Sequence, residues 1–231
     1  MRQARHGSDI EFPSGGETGR GYLALPPRGR GRGVLVLQEW WGLVDHIRDV
    51  VDRLAEAGFV ALAPDLYRGE TASDPDTAGR LMMGLEIPRA ARDLSGAVEA
   101  LLNHAAVDGG RVGAIGFCMG GQLALYAATL DPRIAAVVDF YGIHPNVNLD
   151  FSGLRASVLG IFAERDGFVP PSVVHRLEAD LAAAGVRTTC KIFPGVDHAF
   201  MNDTRPDVYN AAVAAEAWQD AMHFLHAELG A

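Results

Sequence analysis

Cysteine is scarce: the 231-residue chain carries two, Cys118 and Cys190. A secreted disulfide scaffold would hold many more in a much shorter chain, so a reducing compartment, the cytoplasm, is expected. Long apolar runs are missing as well. None approaches the 18 or so residues that a membrane helix needs. The opening stretch from Met1 to Gly7 is basic but leads into polar residues, unlike the apolar core of a signal peptide. Positive charge is the minority sign. Twenty Lys and Arg against 29 Asp and Glu leave a net charge of −9, which argues against a nucleic-acid partner. No internal repeat, heptad or basic stripe marks a solenoid or a structural partner protein, and no feature of the sequence sets an oligomeric state.

What is present is the composition of a globular protein, 48% hydrophobic and 21% charged, in a chain long enough to bury a core as one domain. Short apolar runs alternate with segments of helical period. Gly33–Leu37, Phe59–Ala63, Arg111–Ile115, Ile134–Val138, Val158–Phe162 and Thr188–Phe193 read as strands. Helices are expected at 45–57 and near 90–104, 119–130, 171–184 and 207–228. Continuous apolar strands separated by helices predict an α/β fold, a parallel sheet covered on both faces. Residues 10–12 and 22–25 read as an N-terminal edge hairpin, and 29–32 as an exposed turn with solvated arginines. The stretch 68–89 has weak periodicity and is expected to form an excursion or cap.

The sharpest motif is Gly116-Phe117-Cys118-Met119-Gly120-Gly121, directly after one strand and before a helical run. A nucleophile on such a turn projects its reactive atom above the sheet, and the flanking glycines let the backbone turn tightly. The helix N-terminus beyond it favours a thiolate and a developing oxyanion. A triad then requires an acid and a histidine further along the chain. Asp166, in Glu164-Arg165-Asp166-Gly167, and His198, in Val196-Asp197-His198-Ala199, each follow a strand, where ligand sites of open α/β sheets collect. Glu164, Asp197 and His144 compete for these places, and an Asp before Gly is often only a turn former. Cys190, inside a strand, reads as a buried inert thiol. His198 lacks a ligand-spaced partner, so neither a metal nor a cofactor is expected.

These residues resemble the dienelactone hydrolase family of α/β-hydrolases. Gln38-Glu39-Trp40-Trp41-Gly42, Pro64-Asp65-Leu66-Tyr67, the Cys118 motif, Asp166-Gly167-Phe168-Val169-Pro170 and His198-Ala199-Phe200 match in order over about residues 10–228. The resemblance implies an α/β-hydrolase fold with Cys118 as nucleophile, His198 as base and acid, and Asp166 as its orienting carboxylate. It also implies Glu39 as the acceptor of the thiol proton, and the backbone N–H groups of Met119 and Trp40 as the oxyanion hole. The substrate class so implied is a small ester or lactone, opened through a thioester.

One position departs from the pattern. Members that open dienelactone carry an arginine four residues after the histidine; here that place is Asn202. An amide offers neither the charge nor the fork of a guanidinium. Arg205 and Arg80 are candidate substitutes. Trp41, Tyr141, Phe168 and Phe200 are candidate pocket residues, and an aromatic wall without a matched arginine suits neutral aryl esters or phosphotriesters. A non-catalytic redox or binding protein with a reactive Cys118 is the rival of a different class.

Overall fold

The computed structural model describes residues 6–230; most of the basic opening stretch, residues 1–5, lies outside them. Eight strands form one sheet: β1 (Ser8–Ser14), β2 (Glu17–Ala24), β3 (Gly31–Leu37), β4 (Val60–Pro64), β5 (Val107–Phe117), β6 (Ile134–Phe140), β7 (Ser157–Ala163) and β8 (Thr188–Phe193). Their order is β1-β2-β4-β3-β5-β6-β7-β8. The first two pairings, β1 with β2 and β2 with β4, are antiparallel, and the rest are parallel. Six helices accompany them: α1 (Asp45–Glu56), α2 (Pro75–Met83), α3 (Ile87–Asn103), α4 (Met119–Leu130), α5 (Pro171–Ala183) and α6 (Ala211–Leu229).

The β3 sequence explains the layering. Successive side chains on a strand point to opposite faces. Val34 and Val36 join the core under α1 and α6, whereas Leu35 and Leu37 join the core under α3 and α4. Both faces are therefore dry, and the strand must be apolar throughout. Helices, in contrast, bury one stripe. In α1 the stripe is Ile47, Val50, Val51 and Leu54, all fully buried.

Several boundaries depart from the periodicity. β5 begins at Val107, four residues before the apolar run, because Val107 pairs with Gly31 through a register shift. The expected turn at 29–32 is thus half strand, and its arginines are not merely solvated: Arg30 bonds the Asp108 carboxylate at 2.7 Å and Arg32 the Asp108 carbonyl at 3.1 Å. The 68–89 excursion contains α2, capped by Asp74 accepting from the Thr77 N–H at 2.9 Å, with Pro75 in the first turn.

One buried charge sits at the sheet centre. Asp139 of β6 lies opposite Gly116 of β5 and Gly160 of β7, and a Cβ at Gly121 or Gly142 would overlap its Oδ1. Neither carboxyl oxygen has a well-formed hydrogen bond. Burial pushes its pKa up to about 7, and the nearby Gly142 N–H offsets this only in part. A carboxyl whose folded pKa is raised holds its proton more tightly folded than unfolded. Its contribution to stability is therefore lost as pH rises from about 4 to 7. Urea unfolding at pH 5 and pH 8 should show Asp139→Asn gaining on wild type at the higher pH, by up to about 3 kcal/mol. Parallel pH dependences of the two proteins would rule Asp139 out.

Candidate active site

Five loops leave the carboxyl ends of β3, β5, β6, β7 and β8 on one side of the sheet. They carry Glu39, Cys118, Tyr141, Asp166 and His198 respectively. Cys118 stands between β5 and α4 with φ 54° and ψ −121°, a strained conformation for a side chain with a Cβ. Its N–H donates to the Phe140 carbonyl at 2.9 Å, and its carbonyl accepts from Gly121 (2.9 Å) and Ile143 (3.1 Å). The glycines are sterically required. A Cβ at Gly116 would overlap the Gly120 carbonyl, and one at Gly120 would overlap the carbonyls of Leu37 and Gln38. The N–H groups of Met119 and Gly120, the first two of α4, have no partner within the helix.

Asp166 and His198 meet across 32 residues. Asp166 Oδ2 lies 2.7 Å from His198 Nδ1, while Asp166 Oδ1 accepts from the N–H groups of Phe168 (2.8 Å) and Val169 (2.9 Å). Burial opposes the Asp166 charge, but His198 and these N–H groups hold its carboxyl below the ordinary range. Burial likewise opposes a charged His198; its bonds to Asp166 and to the Cys118 sulfur prevail and raise it to about 10. The imidazole is also fixed by contact, with the Tyr141 ring 4.9 Å and the Phe168 ring 5.2 Å from its own. The competitors are engaged elsewhere. Glu164 accepts from the Gly195 N–H at 2.8 Å, Asp197 pairs with Arg165 at 3.7 Å, and His144 is buried with its Nδ1 taking the Asn146 N–H.

Glu39 is 1% exposed. One oxygen, Oε2, accepts from the Asn202 amide at 2.7 Å; the other, Oε1, has no partner. Together with Cys118 and His198 it lines a cavity of about 250 Å³, walled by Trp40, Trp41, Met82, Ile143, Pro145, Phe168, Ala199 and Arg205. A larger cavity of about 550 Å³ opens at the amino ends of β3 and β5, among Arg28, Arg30 and Arg32. It touches none of the motif residues. No three His, Cys, Asp or Glu side chains among the described residues group as metal ligands would.

The predicted pocket residues divide. Trp41, Phe168 and Arg205 line the cavity. Tyr141 and Phe200 do not: both are fully buried and pack edge-on against each other beneath His198, so they support the site rather than wall it. Arg80 is exposed on α2, where it bonds Thr77, and does not reach the cavity. Asn202 faces Glu39 instead of open space. Cys190 is half-buried rather than buried, and burial pushes its thiol up to about 12. Met82, Ile143 and Pro145 were not anticipated. Only the placement of the 68–89 excursion hinted at Met82; isolated apolar residues in loops carry no periodic signal.

A sequence profile of the Dienelactone hydrolase family matches residues 20–229. A protein of Aquifex aeolicus (strain VF5), provisionally named a carboxymethylenebutenolidase, is 37% identical over 225 residues, covering 94% of this chain and 97% of the relative. The crystal structure of a provisionally assigned dienelactone hydrolase from Klebsiella pneumoniae superposes with a TM-score of 0.85 at 29% identity, covering 95% of this chain and 97% of that one. A dienelactone hydrolase-like promiscuous phosphotriesterase from metagenomic libraries shares the fold, with a TM-score of 0.86 at 24% identity over 96% of this chain and 98% of its own. With the family profile spanning most of the chain, and an α/β sheet carrying the motif residues at its carboxyl edge, the chain belongs to the dienelactone hydrolase family, hydrolases of ester and lactone bonds.

Proposed function

We propose that the protein, as one catalytic domain, opens small esters or lactones through a thioester on Cys118. The carrying observation is the convergence of Cys118, His198 and Glu39 on one cavity, with Asp166, outside its wall, bonded to His198 at 2.7 Å. The Cys118 thiol gives its proton to Glu39, which lines the same cavity and keeps one oxygen without a hydrogen-bond partner, and the sulfur adds to the carbonyl carbon. The carbonyl π pair moves to oxygen, where the N–H groups of Met119 and Trp40 hold the oxyanion. Collapse breaks the C–O bond, and the leaving oxygen takes the proton that His198 holds through neutral pH. Water then cleaves the thioester, restoring the thiol and releasing the acid. Asp166 keeps the ring in the tautomer and orientation for this exchange. The few cysteines support a reducing, cytoplasmic setting; among the described residues no helix is long and apolar enough to cross a membrane.

A second reading uses the same groups on a neutral phosphotriester. It is favoured by the mostly apolar cavity wall and by the likeness to the promiscuous phosphotriesterase, which by itself shows fold alone. Dienelactone, p-nitrophenyl acetate and a neutral aryl phosphotriester, assayed side by side, separate the two. Cys118→Ala should lower turnover of the preferred substrate by at least about 10³-fold. Activity that survives this substitution would mean another nucleophile; no turnover by a wild type whose Cys118 still alkylates quickly would favour a redox or binding protein.

The His198 charge gives a second test. Turnover should fall as pH rises through about 10, because His198 then loses the proton destined for the leaving oxygen. Asp166→Asn should lower kcat by on the order of 10²–10⁴-fold and move this alkaline limb to lower pH. A limb that stays in place would separate Asp166 from the titration.

A further inference from the structure

Asn202 is a buried polar side chain, 1% exposed, hydrogen-bonded at both ends of its amide. Its Oδ1 accepts from the Thr204 N–H at 3.0 Å and the Thr204 hydroxyl at 2.6 Å. Two donors on that oxygen fix which way the amide faces, so its NH2 must point at Glu39, 2.7 Å away. The loop bearing it is itself held: the Asn202 N–H bonds the Ala199 carbonyl at 2.9 Å, and the Asn202 carbonyl takes the Arg205 N–H at 3.0 Å. Glu39 is thus clamped at the cavity wall by a neutral donor.

The charges around the cavity follow from this clamp. His198 faces Asp166 at 2.7 Å. Arg205, the other cation in the wall, is turned to Asp207 at 2.7 Å and lies over the Trp41 ring at 5.7 Å. Each lining cation therefore already has its anion, while Glu39 has an amide and a bare oxygen. A second carboxylate brought in on a substrate would lie beside Glu39 with no free cation to receive it, and like charges in a water-poor site repel strongly.

We infer that Asn202 is a specificity-determining residue that, by clamping Glu39 through a neutral amide, restricts the site to esters and lactones whose acyl arm carries no charge. The inference rests on the hydrolase reading above and names the substrate class within it. Its discrimination is built by repulsion rather than by a new attractive contact.

The test compares kcat/KM for p-nitrophenyl butyrate and for mono-p-nitrophenyl succinate, whose acyl arms differ chiefly by a terminal carboxylate. Wild type should prefer the butyrate by about 30-fold or more. Asn202→Arg supplies a cation with N–H groups for both Glu39 and the substrate, and should shift the ratio toward the succinate by at least about 10-fold. Asn202→Asp adds a further carboxylate and should widen the butyrate preference, most strongly at low salt. A merely structural role would lower both rates and leave the ratios alone. Equal wild-type rates on the two esters, or ratios that neither variant moves, would overturn the inference. Turnover of neither ester by wild type would overturn the hydrolase reading itself, and the inference with it.

Discussion

The backbone of Cys118 is the constraint on which the site depends. Holding a residue with a Cβ at φ 54° costs about 1–3 kcal/mol, and only surroundings that leave no alternative can keep it there. Here those surroundings are the Phe140 carbonyl on its N–H and two N–H donors on its carbonyl. Glycines at 116 and 120 let strand and helix approach to backbone contact. Four non-glycine residues have positive φ among the described residues, and three of them, Cys118, Tyr141 and Ala199, belong to this one edge of the sheet. Strain is concentrated where the loops leave the carboxyl ends of the strands.

Three acidic side chains near this edge show how environment separates identical chemistry. Asp166 accepts from His198 and two backbone N–H groups and stays well ionised. Asp139, one layer below and without well-formed bonds, is pushed up to about 7 by burial. Glu39 lies between these extremes in bonding, with one oxygen held by Asn202 and one buried without a partner. In the mechanism proposed above, the first orients His198 and the last takes the thiol proton. Asp139 does not line the cavity; its Oδ1 fills the space a Cβ would take at Gly121 or Gly142, the glycines in the turns after Cys118 and Tyr141.

Much of the fold was legible because both-face burial writes itself into composition. β4, β6, β7 and β8 follow their apolar runs closely, and α1, α4 and α5 end within a residue or so of their periodic stretches. What escaped were elements whose residues say something else locally. Val107-Asp108-Gly109-Gly110 looks like a turn and is strand because β3 offers it a partner. α2 lacks a strong apolar stripe, burying only Ala78, and depends on its Asp74 cap.

For the site, the sequence alone determined the turn chemistry and the chain order. The Gly-flanked Cys118, and an aspartate and a histidine each just past a strand, are local facts, and local sterics and hydrogen bonding act over a few residues. Tertiary structure decided everything that joins distant segments. It alone brings Asn202 to Glu39 across 163 residues, turns Arg205 toward Asp207, removes Arg80 from the cavity and sinks Tyr141 and Phe200 beneath His198. The physical reason is that a polar side chain is read from sequence as a type, whereas its charge balance is set by whichever partners the fold leaves within about 4 Å.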